Sequence, residues 1–212
     1  MSDLIRPHGG KLVNRWAGPG ATARIEREAP RLPRLVLTRR QQSDLQLIAS
    51  GAYSPLDGFM GREDFESVIH TSRLASGTVW TIPISLAVQQ PVAARLTPGD
   101  SVALYSSGNT LLGLLQLSDR FSCERDEIAR RVFRTTDPSH PGVKRLHEEG
   151  EWLLGGKVTL IRRAAEVEFP KYHLDPIQTL QGAKEDVLDD IRGVQQRAGV
   201  VGEPAARPAL QP

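Results

Sequence analysis

Residues 51–60 read Gly-Ala-Tyr-Ser-Pro-Leu-Asp-Gly-Phe-Met, and this stretch decides how the chain around it is organised. It follows a segment, 38–50, in which Thr38 and Gln41 form a capping-box pattern and the apolar residues share one helical face. Gly51 is suited to end that helix. Ser54 lacks the G-x-S-x-G surroundings of a nucleophile elbow, so we expect it to hydrogen-bond within a turn.

Short strands and short helices alternate along the rest of the chain. The sequence predicts strands at 35–37, 79–88, 101–106, 110–117 and 157–162, with Pro83 placing the second at an edge or bulge. It predicts helices at 62–70 and from Ser122 to Phe133, and irregular connections at 17–34 and 135–142. The predicted fold class is therefore α+β, with mainly antiparallel strands in a partly closed β-barrel that carries short helices.

Composition indicates the class of protein and its cellular compartment. The 212 residues carry a formal net charge of +2, with 39% hydrophobic and 25% charged residues, which is ordinary for a globular protein. Cys123 is the single cysteine, so no intramolecular disulfide can form. The N-terminus lacks the apolar core of a signal peptide, and the strongest apolar run, 111–117, is shorter than a membrane span. These features predict a cytoplasmic protein without a membrane partner.

None of the candidate chemical motifs in the sequence is complete. Gly156-Lys157 fails the P-loop pattern at positions 151 and 158, and the G-x-G-x-x-A match at 18–23 has neither a predicted strand before it nor a predicted helix after it. The five histidines share no metal-binding spacing. The residues alone therefore predict no catalytic group, no metal and no cofactor in this chain.

Several ordered segments resemble one enzyme family, the sulfate adenylyltransferases (ATP sulfurylases). The segments are 7–15, 51–60, 73–77, 82–86, 136–143, 155–156, 169–172 and 175–177. The resemblance covers roughly residues 4–179 and implies that family's N-terminal PUA-like domain over 1–179. We expect a divergent helical extension at 180–198 and a disordered tail at 199–212.

The resemblance also implies what this chain does and what it lacks. The family makes adenosine 5′-phosphosulfate and pyrophosphate from ATP and sulfate, using a Gln-Thr-Arg-Asn-Pro segment and an H-x-x-H pair in a following domain. Neither occurs here, since only Gln195 and Arg197 resemble the first motif and no histidine follows His173. No catalytic residue is therefore carried over. The signature residues are expected to form a structural corner or a contact with the next domain; they are Gly51, Ser54, Pro55, Leu56, Gly58 and Phe59.

The resemblance assigns backbone roles within these segments. Gly9, Gly10, Gly51 and Gly58 are expected in positive-φ turns, and Pro55 is expected to fix a bend after which Phe59 and Met60 pack.

Three functional hypotheses fit this sequence. The first is a sulfate adenylyltransferase N-domain, truncated or split, that is inactive without a separate catalytic domain or subunit. The second is a stand-alone RNA-binding module that uses basic residues such as Arg39, Arg40, Arg130 and Arg131. The third is a protein–protein adaptor in sulfur assimilation, in which the 181–198 helix covers an apolar patch.

Overall fold

The computed structural model describes residues 6–163 and 174–182. The predicted tail at 199–212, the 169–172 motif and the predicted extension from residue 183 onward lie outside these residues. The strands of the described part are β1 (Arg34–Val36), β2 (Gly58–Phe59), β3 (Leu86–Val88), β4 (Ser101–Tyr105), β5 (Leu111–Ser122) and β6 (Trp152–Leu160). The helices are α1 (Pro19–Glu28), α2 (Arg39–Ser50), α3 (Arg62–Thr71), α4 (Gln90–Ala93), α5 (Arg125–Ile128), α6 (Pro141–Glu148) and α7 (Pro176–Gly182).

One mixed sheet organises the chain, in the order β1-β4-β5-β6-β2 with β3 also paired to β6. β1 runs parallel to β4, and the other pairings are antiparallel. The long β5–β6 pair forms the centre, running from Gly113 opposite Leu160 to Ser122 opposite Trp152. The α+β class is confirmed, and the sheet formed by the described strands stays open rather than closing into a barrel.

β2 and β3 share one edge of β6. β3 pairs with Trp152–Leu154, and β2 pairs with Gly156 and Lys157. This sharing corrects the strand predicted at 79–88, of which only Leu86–Val88 is a strand. β2 occupies the edge of β6 that a longer β3 would need, and Pro83 has no N–H to donate to a ladder.

Helix α2 forms as the sequence predicts. The Thr38 hydroxyl accepts from the Gln41 N–H (3.3 Å) and the Gln41 side chain accepts from the Thr38 N–H (3.0 Å), which completes the capping box. The helix buries Leu45, Ile48 and Ala49 against the sheet. Helix α3 is also confirmed, and its Phe65 packs edge-on against Phe121 of β5 with ring centroids 5.5 Å apart.

Four other predictions for the chain are wrong. Residues 19–28 form α1 rather than an irregular connection, because Pro19 stands at a first-turn position where its fixed φ favours a helix. Ser122 caps no helix, since it ends β5, and the helix starts at Arg125 and passes into a π-helical turn at Ala129–Phe133. The loop predicted at 135–142 ends at His140, and α6 begins at Pro141. β6 starts at Trp152, five residues before the predicted strand.

Helix α1 also covers the G-x-G-x-x-A match at 18–23. A helix does follow Gly18, but Gly20 lies inside the helix rather than in a loop before it. An added Cβ at either glycine would meet nothing within 4 Å, so neither glycine provides close backbone approach. None of the described helices is both long and apolar enough to cross a membrane.

The capping box gives a direct test of α2. We expect Thr38→Ala to lower the free energy of unfolding by about 1 kcal/mol, because the Gln41 N–H loses its acceptor. Thr38→Ser keeps the hydroxyl and should retain most of the stability. Urea unfolding measures both changes, and equal stability of all three proteins would contradict the role of the cap.

Candidate functional site

The two segments with the strongest family resemblance, 7–15 and 51–60, meet in space. The Val13 N–H donates to the Ser54 hydroxyl (2.9 Å), and that hydroxyl donates to the Gly51 carbonyl (2.6 Å). The Arg15 N–H donates to the Ala49 carbonyl (2.9 Å). Ser54 is buried, with 4% of its surface exposed, so its hydroxyl links the two segments in the protein interior.

Gly51 ends α2 in the left-handed conformation, with φ of 86°. A Cβ at this position would lie 2.2 Å from the Val13 carbonyl oxygen. Both the backbone conformation and the approach of the first segment therefore require glycine here. Pro55 directly follows Ser54 and packs its ring against Gly9, where an added Cβ would lie 2.7 Å from the Pro55 Cβ.

Gly58 has a different role from the positive-φ turn that the resemblance implies. It lies in β2, directly opposite Lys157 of β6. A Cβ on Gly58 would lie 1.8 Å from the Gly156 carbonyl oxygen, so the two backbones approach as closely as they do because no side chain separates them. The expected positive φ is found at Gly9, Gly10 and Gly51.

The residues around Gly58 anchor the segment in the core. Leu56, Phe59 and Met60 are buried, with exposures of 6%, 3% and 2%. The Met60 N–H donates to the Ile84 carbonyl (3.0 Å), which ties the segment to the chain before β3. The signature segment is thus held to residues 7–15 through the Ser54 hydroxyl and to the chain before β3 by a backbone hydrogen bond.

A groove of about 580 Å³ runs beside this segment, and we call it the signature groove. Polar side chains at its rim already have partners within the protein. Lys157 Nζ lies 3.0 Å from Asp57 Oδ2, and Asp64 accepts from the Ala75 N–H at 2.9 Å. Gln116 donates to the Gly99 carbonyl and accepts from the Ser101 hydroxyl. The groove therefore offers shape and backbone rather than an unoccupied acid, base or nucleophile.

An aromatic cluster lies on the other side of Tyr53. The Tyr53 ring meets Trp80 edge-on with centroids 5.9 Å apart, and His8 lies 6.0 Å from Trp80. The Tyr53 hydroxyl donates to Asp44 Oδ1 at 3.4 Å, and Arg40 lies 3.8 Å from the same carboxylate. Burial raises the pKa of Asp44 despite Arg40 and Tyr53, which lower it.

Asp44 is a residue that the sequence reasoning missed. Asp44 lies next to Leu45 on the buried face of α2. A carboxylate among the apolar residues of a helix face is unusual, and this placement could have identified it. Arg15 was noted only as part of a motif. Its Nε donates to the Val158 carbonyl at 2.7 Å, which fixes the first segment to β6.

The remaining reactive side chains are dispersed. Burial raises the pKa of Cys123 to about 11, so its thiol is protonated at neutral pH. His70 lies near Glu127, His147 lies near Asp126, and His140 accepts from the Gly142 N–H at the start of α6. Within residues 6–163 and 174–182, no three His, Cys, Asp or Glu side chains are placed to share a metal ion.

Fold and site together define a class: a small α+β domain with an open mixed sheet, whose signature segment is held by hydrogen bonds and close backbone packing. The reactive side chains of residues 6–163 and 174–182 do not converge on one site. A family model described as a PUA-like domain matches residues 5–163. The chain belongs to this PUA-like domain family, and the fold implied by the resemblance is confirmed.

Comparison with curated proteins agrees with the resemblance. The chain is 45% identical over 195 residues to a sulfate adenylyltransferase of Synechococcus sp., covering 92% of this chain and 50% of the relative. It is 44% identical over 180 residues to the sulfate adenylyltransferase of Symbiobacterium thermophilum, covering 84% and 45%. The chain therefore spans about half the length of these relatives.

A solved structure shares the fold. It is described as a hexameric APS kinase from Thiobacillus denitrificans, and it matches with a TM-score of 0.64 and 30% identity over 82% of this chain and 30% of that one. The PUA-like domain of this chain thus has counterparts in proteins named for two different activities.

The close approach at Gly58 can be tested by substitution. We expect Gly58→Ala to lower the free energy of unfolding by more than about 2 kcal/mol, because the new methyl group would overlap the Gly156 carbonyl and separate β2 from β6. Gly20→Ala is the matched control, since it lies in α1 with open space around it and alanine favours helices. Thermal or urea unfolding compares the two, and equal stability would refute the contact.

The buried carboxylate predicts a pH dependence. A raised pKa in the folded state means that Asp44 stabilises the protein below its ordinary value of 3.8 and loses this contribution as pH rises through the raised pKa. Asp44→Asn should therefore match the wild type at about pH 3.5 and gain relative stability toward about pH 7. Urea unfolding at both pH values measures the difference. A relative loss toward neutral pH would show that the ion pair with Arg40 outweighs burial.

Proposed function

We propose that this chain is the N-terminal scaffold half of a sulfate adenylyltransferase, which converts ATP and sulfate into adenosine 5′-phosphosulfate and pyrophosphate. The observation that carries the proposal is the 45% identity that extends over 92% of this chain and half of a sulfate adenylyltransferase. In this proposal the chemistry belongs to the polypeptide that makes up the other half of such a relative.

The chemistry of the reaction supports this division. Attack of a sulfate oxygen on the α-phosphorus needs cations and hydrogen-bond donors gathered around the phosphates to stabilise the developing charge. In the described residues the signature groove has its lysine paired with Asp57, and the histidines lie apart. A domain of this kind supports and orients a catalytic partner, and it does not itself transfer an adenylyl group.

The scaffold role is also supported because the same fold occurs in proteins named for two different activities. A domain found in proteins named sulfate adenylyltransferase and APS kinase serves something that both share, and a scaffold role fits that requirement. The signature residues Gly51, Ser54, Pro55, Leu56, Gly58 and Phe59 then maintain the shape of the scaffold. We propose that the signature groove beside them is a surface of contact rather than a reaction site.

The RNA-binding hypothesis receives less support from the geometry. Two of the arginines that motivated it are engaged with carboxylates: Arg40 with Glu149 at 3.1 Å, and Arg131 with Glu127 at 4.0 Å. An adaptor role has no separate observation in its favour. We therefore place both behind the scaffold role.

A chimera tests the proposed function. This chain replaces the matched half of the Synechococcus enzyme, and formation of adenosine 5′-phosphosulfate and pyrophosphate from ATP and sulfate is measured. We expect turnover by the chimera and none by this chain alone. Gly58→Val in the chimera is the control, and it should abolish turnover by separating β2 from β6.

Two results would overturn the proposal. One is turnover of ATP and sulfate by the purified chain without a partner. The other is a chimera that unfolds cooperatively, and is therefore well folded, yet forms no product.

A further inference from the structure

A half-buried ion pair fixes α7 to the sheet. Arg163 Nη2 donates to both carboxylate oxygens of Asp175, at 2.8 and 2.7 Å, and the two side chains are only 32% and 19% exposed. The Arg163 guanidinium also lies 4.9 Å from the centre of the Trp16 ring. Trp16 itself bridges to Leu160 at the end of β6. The pair thus sets the position of α7 relative to the central strands.

Helix α7 begins at this ion pair. The Gln178 and Thr179 N–H groups donate to the Asp175 carbonyl, and the Gln178 side chain accepts from the Asp175 N–H at 2.8 Å. The Asp175 carboxylate therefore accepts from Arg163, while the Gln178 side chain accepts the Asp175 N–H at the start of the helix. The arrangement holds the helix in one orientation.

The apolar side chains beside this ion pair face outward. Leu174 is 49% exposed and Ile177 is 42% exposed, and no α7 side chain from Pro176 to Leu180 is buried. A helix of seven residues is too short to be stable by itself in water, so α7 needs tertiary contacts. The ion pair and hydrogen bonds of Asp175 supply such contacts, and the exposed surfaces of Leu174 and Ile177 remain accessible to a partner.

The extent of the matches identifies that partner. The PUA-like family model ends at residue 163, before α7. The similarity to the Synechococcus enzyme spans 195 of the 212 residues, so at most 17 residues lie outside it and residues 174–182 must lie within it. Helix α7 is thus shared with sulfate adenylyltransferases but lies beyond their PUA-like domain, where the rest of the enzyme follows.

We propose that Trp16, Leu174 and Ile177, together with the Arg163–Asp175 ion pair, form the surface on which the second half of a sulfate adenylyltransferase docks. We call it the α7 face. The proposal rests on the proposed function and adds the location of the contact. Burial of Leu174 and Ile177 by the second half supplies the driving force, and the ion pair supplies the orientation.

The experiment uses the chimera that joins this chain to the second half of the Synechococcus enzyme. The test variant is Leu174→Glu with Ile177→Glu. The matched control is Val36→Glu with Val79→Glu, which places the same charges at side chains that are 49% and 48% exposed elsewhere on the domain. Calorimetry follows thermal unfolding, and turnover of ATP and sulfate is measured on the same samples.

We expect the parent chimera and the control to unfold in one transition. The α7-face variant should lower the transition by at least about 5 °C or split it in two, because the halves no longer stabilise each other. Arg163→Met should do the same to a smaller degree. An α7-face variant that unfolds like the parent, or a parent whose halves unfold independently, would overturn the docking proposal.

The two readouts separate this proposal from the proposed function. If the α7-face variant unfolds like the parent while the parent turns over ATP and sulfate, the location of docking is wrong and the function stands. If docking follows the prediction and the parent forms no product, the proposed function is wrong and the contact stands.

Discussion

The approach of Gly58 to Gly156 is the contact on which the rest of the structure depends. It brings β2 against β6 with no side chain between them, and β2 then occupies the edge of β6 that would otherwise extend β3. The turn that leads into β2 is held by Ser54, whose hydroxyl also binds the N-terminal segment through Val13. One close backbone contact thus sets the sheet edge, the signature groove and the place of residues 7–15. A methyl group at Gly58 would disturb all three.

Much of the fold could be predicted from local signals. The capping box of α2 and its end at Gly51 each depend on a few adjacent residues, and both form as predicted. The resemblance to sulfate adenylyltransferases correctly indicated the PUA-like domain. The failure at 79–88 has a non-local cause. Strand 79–88 has suitable alternation, but β2 competes for its partner, and this competition depends on a contact between residues 58 and 156 that no local pattern encodes.

Other predictions failed because the local sequence signals were weak or ambiguous. Helix α1 buries only Ile25, so its apolar face is too narrow to detect, although Pro19 at its start was a usable indication. Ser122 has the side chain of a helix cap, but it pairs with Trp152 in the sheet. At the site, the signature segment was identified, whereas the roles of Asp44 and Arg163 depend on partners that approach only in the folded chain. Gly58 was identified for the wrong reason, since close approach rather than positive φ requires it.

The physical picture is of a domain that offers precise backbone packing and few unpaired reactive groups among its described residues. Such a domain suits the scaffold role that we propose, in which cations and imidazoles around the triphosphate come from the other half of the enzyme. The most direct test is sulfate-dependent exchange of radiolabelled pyrophosphate into ATP, which detects even rare adenylyl transfer. The purified chain alone should incorporate no label above the protein-free reaction. Label that enters ATP only when sulfate is present would show that this chain performs the chemistry, and it would contradict the scaffold role.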